Sequence, residues 1–206
     1  MGGAASIGVL ALQGDFAAHA RALERSGIAA VEVRRAAQLP GLDGLIIPGG
    51  ESTALLRLME PEGWEEALRD FHRAGGALFG TCAGLILLAR EVTAPTQRSL
   101  GLLDCAVERN AYGRQIDSFV GQGTLRLDEE ESEAEMVFIR APRIRTVGPG
   151  IEVVAWHAGE PVAIRAGRLL GATFHPELSP ESALHAYFAR IASSRMVEAP
   201  ASTQAT

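Results

Sequence analysis

Residues 75–89, GGALFGTCAGLILLA, hold an apolar run, a turn of small residues around Cys82, and a second apolar run. The first run reads as a buried strand over 76–80 and the second as a helix over 83–91, so the segment predicts a strand-to-helix elbow. Small residues flank Cys82 because a sharp turn brings backbone close to backbone and admits strained dihedrals. The G-x-S-x-G elbow of hydrolases uses the same device, and Gly80-Thr81-Cys82-Ala83-Gly84 is its cysteine counterpart. A thiolate at a helix start is favoured by unpaired N–H groups, and the Ala83 N–H is placed to bind an oxyanion. The pentapeptide alone leaves two readings open, a nucleophile or a buried structural thiol.

Outward from the elbow, similar units recur. SIGVLAL (6–12) is strand-like, and the helix DFAAHARALERSG follows with Asp15 as N-cap and Gly27 as its stop. AAVEVRR (29–35) and DGLIIPGG (43–50) read as further strands, the second ending in a Pro-Gly-Gly turn before the helical STALLRLM and EGWEEALRDFHRAG. Continuously apolar strands separated by helices define an α/β fold with a parallel sheet covered on both faces. From about 101 to 171 short strands and turns replace this rhythm (LLDCAVER, FVGQGTLRL, EMVFIRAP, IEVVAWH, EPVAIRAG), which predicts an antiparallel extension of the same sheet. The acidic run 128–135, DEEESEAE, reads as a solvated turn. RLLGATFHPEL (168–178) returns to a core strand, and a last helix follows with Ser179 as N-cap and Pro180 at its first position. The expectation is a single domain over 1–194 with a disordered tail over 195–206.

Composition narrows the function. The 206 residues are 47% apolar and 21% charged with net charge −6, which disfavours nucleic acid as a partner. No apolar run approaches the roughly 20 residues of a membrane helix. Two cysteines make no disulfide framework, which fits a reducing, cytoplasmic setting. All 19 basic residues are arginine, which removes lysine Schiff-base chemistry and a complete P-loop.

A nucleophile needs a base, and five histidines are available. His19, His72 and His185 lie in helices where surface positions are the default, and His157 ends a strand beside a turn. His175 ends an apolar strand and is followed by Pro176-Glu177. Alternation along an extended segment points Glu177 the same way as His175, so the carboxylate can hold the imidazole. Cys82 and His175 then both fall at carboxyl ends of strands, where open α/β sheets place their sites. A third strand end, IIPGGES (46–52), offers backbone N–H groups to an anion, or is a glycine turn with Ser52 as N-cap.

LALQGD, IIPGGEST, FGTCAGLILLA, RNAYGRQIDSF, VFIRAP and GATFHPEL together resemble the class I (triad) glutamine amidotransferases. Within them they resemble the glutaminase subunits of pyridoxal 5′-phosphate synthase, the PdxT family, from about Ile7 to Ala192. The resemblance implies a three-layer, flavodoxin-like fold and hydrolysis of L-glutamine, with ammonia delivered to a TIM-barrel synthase partner of the PdxS type, a dodecameric core decorated by glutaminases. It implies Cys82 as nucleophile, His175 as general base and acid, and Glu177 as its orienter. It further implies Gly50, Glu51, Ser52, Arg109, Ile139 and Arg140 as glutamine contacts. Gly49, Gly50 and Ala83 become oxyanion contributors, and Gln13 an interface and activation residue. No cofactor and no metal enter this reading. Weak activity of the chain alone is expected, because docking can complete the oxyanion site. A cysteine peptidase on a similar scaffold and a non-catalytic module are the competing readings; neither calls for the cysteine, the His-Pro-Glu and the arginines together.

Overall fold

The computed structural model describes residues 5–109, 118–180 and 183–194. The tail expected over 195–206 lies outside them, as does the 110–117 part of RNAYGRQIDSF. In chain order the elements are β1 (Ile7–Leu10), α1 (Phe16–Arg25), β2 (Ala30–Val33), β3 (Gly44–Ile47), α2 (Ser52–Met59), α3 (Trp64–Arg73), β4 (Ala77–Thr81), α4 (Ala83–Leu88), β5 (Ala89–Thr93) and β6 (Leu103–Glu108). They continue with β7 (Ser118–Leu127), β8 (Glu130–Ile139), β9 (Arg143–Val147), β10 (Glu152–His157), β11 (Glu160–Ala166), β12 (Leu169–Ala172) and α5 (Ala183–Ser193).

Among the described residues a nine-stranded sheet runs β2-β1-β3-β4-β12-β11-β10-β7-β8. Its first five strands pair parallel and the rest antiparallel. The inner parallel strands β1, β3, β4 and β12 are buried at every position because each face meets a core, whereas β2 at the edge exposes Val31 and Glu32. Ile7, Val9, Ile46, Phe79 and Leu170 pack with Leu23, Leu184 and Phe188 of α1 and α5. Leu10, Leu45, Ile47, Leu78 and Leu169 face the other way, toward Leu55, Leu68 and Leu85 of α2, α3 and α4. No helix among the described residues is long and apolar enough to cross a membrane.

Four local expectations are corrected. The helix expected over 83–91 stops at Leu88, and Ala89 begins β5. α4 is buried at every residue, so Arg90 and Glu91 reach water only if the chain leaves the helix. The extension is not all one sheet, since β5, β6 and β9 form a separate three-stranded sheet whose core includes Val92, Cys105, Val107 and Ile144. The acidic run is mostly strand: Glu130 opens β8, which pairs antiparallel with β7, leaving Asp128 (φ 59°) and Glu129 as the turn. β8 buries Ala134, Met136 and Phe138 and turns its acids to solvent, where charge on an edge strand discourages further pairing. Finally, the strand ends at Ala172, and Pro176–Leu178 form a 3-10 turn rather than extended chain.

Candidate active site

Four strand ends converge. Gln13 follows β1, Gly49 to Ser52 follow β3, Cys82 follows β4 and His175 follows β12. β1 is where the parallel order reverses, the switch point at which such sheets open a crevice. The antiparallel half supplies the far wall, because Ile139 ends β8 and the His175 N–H donates to Val137 O at 2.8 Å.

Cys82 sits at the elbow with φ 47° and ψ −101°, a strained conformation of a kind that costs about 1–3 kcal/mol. It is held there by its N–H, which donates to Ala172 O at 2.8 Å, and by its carbonyl, which accepts from the Ile86 N–H at 3.1 Å. A side chain at Gly84 would overlap the Ile47 carbonyl, so only glycine lets α4 start this close to the sheet. Sγ lies 3.9 Å from the Ile139 carbonyl oxygen.

His175 Nδ1 is 2.7 Å from Glu177 Oε1, and both residues are buried. The pairing expected between them is present, but the 3-10 turn that begins at Pro176 sets it up. Burial works to lower the His175 pKa, and hydrogen bonds with Cys82 and Glu177, plus their charge, overcome it and raise the pKa to about 10. An imidazole of such proton affinity can take the proton of the adjacent thiol. A Cβ at Gly49 would lie 2.5 Å from His175 Cε1 and 3.3 Å from Cys82 Cβ, so this glycine is the floor beneath both groups.

A cleft of about 140 Å³ is lined by Gly50, Glu51, Ser52, Cys82, Ile86, Arg109, Ile139, Arg140 and His175. Every expected glutamine contact is therefore on one wall or another. Glu51, not Ser52, caps α2, accepting from the N–H groups of Thr53 and Ala54. Burial works to raise its carboxyl pKa, but those N–H groups, the Thr53 hydroxyl and Arg109 outweigh it and hold the pKa low. Arg109 reaches Glu51 Oε1 at 3.3 Å and the Thr53 hydroxyl at 3.4 Å. Gln13 is placed against Gly50 (φ 134°), its Oε1 accepting from the Glu51 N–H at 3.3 Å.

The sequence reading missed four residues that the structure places at or behind the cleft. His19 and His185, expected at the surface, are fully buried behind the site. The signal was present: His19 shares a helical stripe with Ala18, Ala22 and Leu23, and His185 with Leu184, Phe188 and Ile191. Ile86 lines the cleft from α4, and Gln97 accepts from the Ser52 hydroxyl at 2.9 Å with no pattern in the sequence to announce it. Ser179, expected to cap α5, donates its hydroxyl to Glu135 O, and the turn where capping would show includes 181–182, outside the described residues. Cys105 is the structural thiol, its pKa pushed up to about 12 mainly by burial.

A cysteine on a strained elbow, a histidine-glutamate pair and an arginine facing one small cleft define a triad-type amidohydrolase site on an α/β scaffold. A solved structure described as a glutamine amidotransferase superposes with TM-score 0.84 at 47% identity, covering 91% of this chain and 99% of its own. The profile of the SNO glutamine amidotransferase family matches residues 9–194, and the chain belongs to that family. Relatives called pyridoxal 5′-phosphate synthase subunit PdxT include that of Koribacter versatilis, 51% identical over 185 residues, 90% of this chain and 94% of the relative. The one from Niallia circulans is 50% identical over 182 residues, 88% of this chain and 95% of the relative.

Proposed function

We propose that residues 1–194 form a single glutaminase domain, which hydrolyses L-glutamine to L-glutamate and ammonia at Cys82 and passes the ammonia to a pyridoxal 5′-phosphate synthase partner. The Cys82 thiol gives its proton to His175, and Sγ attacks the side-chain amide carbon. The oxyanion is received by backbone N–H groups of the Gly49-Gly50 turn and of Ala83. His175 returns the proton to the departing nitrogen, leaving a thioester and ammonia, then takes a proton from water as that water attacks the thioester and frees Cys82. Glu177 holds the imidazole in the tautomer both steps need. In this reading Arg109 clamps the substrate carboxylate, which suits a guanidinium, while Gly50, Glu51, Ser52, Ile139 and Arg140 complete the slot.

The observation that carries the reading is the convergence of Cys82, the 2.7 Å His175–Glu177 pair and Arg109 on one cleft. The names of the relatives support the synthase partner. By resemblance, that partner is a dodecameric core of TIM-barrel subunits in the cytoplasm, with Gln13 near the contact. The test is glutamine hydrolysis by the chain with and without the synthase subunit. Cys82→Ala is expected to fold normally and to release no ammonia in the complex; undiminished turnover would refute the mechanism.

A further inference from the structure

Behind Glu177, away from the cleft, the side chains form an unbroken polar line inside an apolar core. His19 Nε2 lies 3.3 Å from Glu177 Oε2 and 3.2 Å from Thr81 Oγ1, and His19 Nδ1 lies 2.9 Å from His185 Nε2. All four residues are buried, and the two imidazoles are fully so. Phe79 and Phe188 pack around them. An apolar residue at either position would suit this core better, since burying unneeded polar groups costs free energy.

The chemistry of the partners favours one placement of the protons, that which gives the Glu177 carboxylate a donor on each oxygen. Glu177 is an acceptor at both oxygens, and Oε1 is taken by the Nδ1–H of His175. Oε2 therefore needs a donor, which His19 can supply only as Nε2–H. That leaves His19 Nδ1 an acceptor, so His185 must donate from Nε2. Two buried atoms of this line have no hydrogen-bond partner: Glu177 Oε2, which His19 Nε2 approaches to 3.3 Å as an ion-pair contact short of hydrogen-bond geometry, and His185 Nδ1, which in this assignment is a lone pair rather than an N–H. In the opposite assignment His19 Nε2 would accept from the Thr81 hydroxyl, but its lone pair would face Glu177 Oε2, leaving that carboxylate oxygen with no donor, and an N–H would be stranded at His185 Nδ1.

From this arrangement we infer that His19 is a positioning residue for the glutaminase reaction, a neutral donor that grips the far oxygen of Glu177 and tempers its pull on His175, and that His185 locks the tautomer in which it does so. This rests on the triad reading above. His19 stays neutral because burial, then His185, then His175 lower its pKa well below the ordinary value. His185 is driven to about 3 by burial and by Arg25. The titratable groups facing His19 are thus His175 and Glu177 after β12 and His185 on α5, with Thr81 of β4 adding its hydroxyl, while Arg25 of α1 acts on His185.

The test contrasts His19→Gln, whose amide nitrogen reaches the Nε2 position, with His19→Asn, whose amide reaches only the Nδ1 position. Both are assayed as full chains with the synthase subunit. With Asn, kcat is expected to fall about tenfold at unchanged KM, and its acid limb to move up by about one pH unit, as the ungripped carboxylate holds the His175 proton harder. With Gln both readouts return toward wild type. Equal kcat and equal limbs in the two variants would overturn the inference, because a merely structural role predicts no such difference. Should the variants not fold, imidazole ¹⁵N NMR of the wild-type chain decides. His19 must remain a neutral Nε2–H tautomer across about pH 5–9, and a titrating or Nδ1–H His19 would overturn the inference. Loss of turnover in Cys82→Ala with indistinguishable His19 variants would sink this inference alone; survival of turnover in Cys82→Ala would sink the triad reading beneath it.

Discussion

Replacing Glu177 by glutamine changes one atom, yet it conflicts with every proton in the buried line. In one orientation the amide oxygen accepts from His175 Nδ1–H, and the NH₂ faces His19 Nε2–H, donor against donor. Relief requires His19 and His185 both to switch tautomers, which ends in a partnerless N–H at His185 Nδ1. In the other orientation the NH₂ faces His175, whose proton must then sit on the nitrogen nearest Cys82, where it can no longer take the thiol's proton. Either way the negative charge that stabilises the imidazolium is gone. A hydrogen bond to a charged group is worth about 1.5–3 kcal/mol, and the tautomer error adds to it, so kcat should drop by about 10²- to 10⁴-fold. KM should change little, since Glu177 is not on the cleft wall. The remaining activity should show its acid limb at lower pH than wild type, opposite in sign to His19→Asn. Steady-state ammonia release by the complex across pH, with circular dichroism and melting to verify folding, measures all three. A folded Glu177→Gln chain within about threefold of wild-type kcat would refute the account of Glu177 as the orienter.

Stability should also fall on mild acidification. His185 and His19 are depressed in the folded chain, so the unfolded chain binds their protons first; their stabilisation is complete above the unfolded pKa of about 6.5 and is lost as pH falls. The His185 proton alone implies a slope of about 1.4 kcal/mol per pH unit between roughly pH 5.5 and 4.5, to which His19 adds in the same direction, and His185→Phe should remove the His185 share in urea titrations. His175 acts in the opposite window, its contribution present below about 6.5 and lost as pH rises through about 10, so it does not offset the acid loss. Gly84→Ala, which drives a methyl into the Ile47 carbonyl, should cost about 3 kcal/mol; a loss under about 1 kcal/mol by urea unfolding would mean that α4 can shift. Arg109→Leu should raise KM for glutamine about 10- to 100-fold and lower kcat far less, and an unchanged KM would remove Arg109 from the carboxylate clamp.

The parallel half of the fold was legible in sequence because its information is local. Apolar strands such as GLII and ALFGT, the Asp15 cap, which accepts from the Ala18 N–H, and the stop at Gly27 (φ 75°) each declare themselves within a few residues. Cys82 with its glycines and His175 with Glu177 are short motifs of the same kind. Pairing among the antiparallel strands is set by contacts distant in the chain. Nothing local says that β6 leaves the main sheet for β5 and β9, or that the acids of 130–135 belong to an edge strand. The ends of α4 and β12 were misjudged because solvation of Arg90 and Glu91, and the ring of Pro176, overrule apolar continuity.

The sequence by itself determined an α/β scaffold, a cysteine elbow and a base with its carboxylate, all features whose physics is complete within a turn or a strand. Only the tertiary structure decided that Glu51 rather than Ser52 caps α2, that Ile86 lines the cleft, and that His19 and His185 lie in the core behind Glu177. A histidine on a helix carries no local sign of its partner. Whether it meets water or a buried carboxylate is settled when α1 and α5 pack on the same face of β4, 166 residues of chain separating the two imidazoles that then touch.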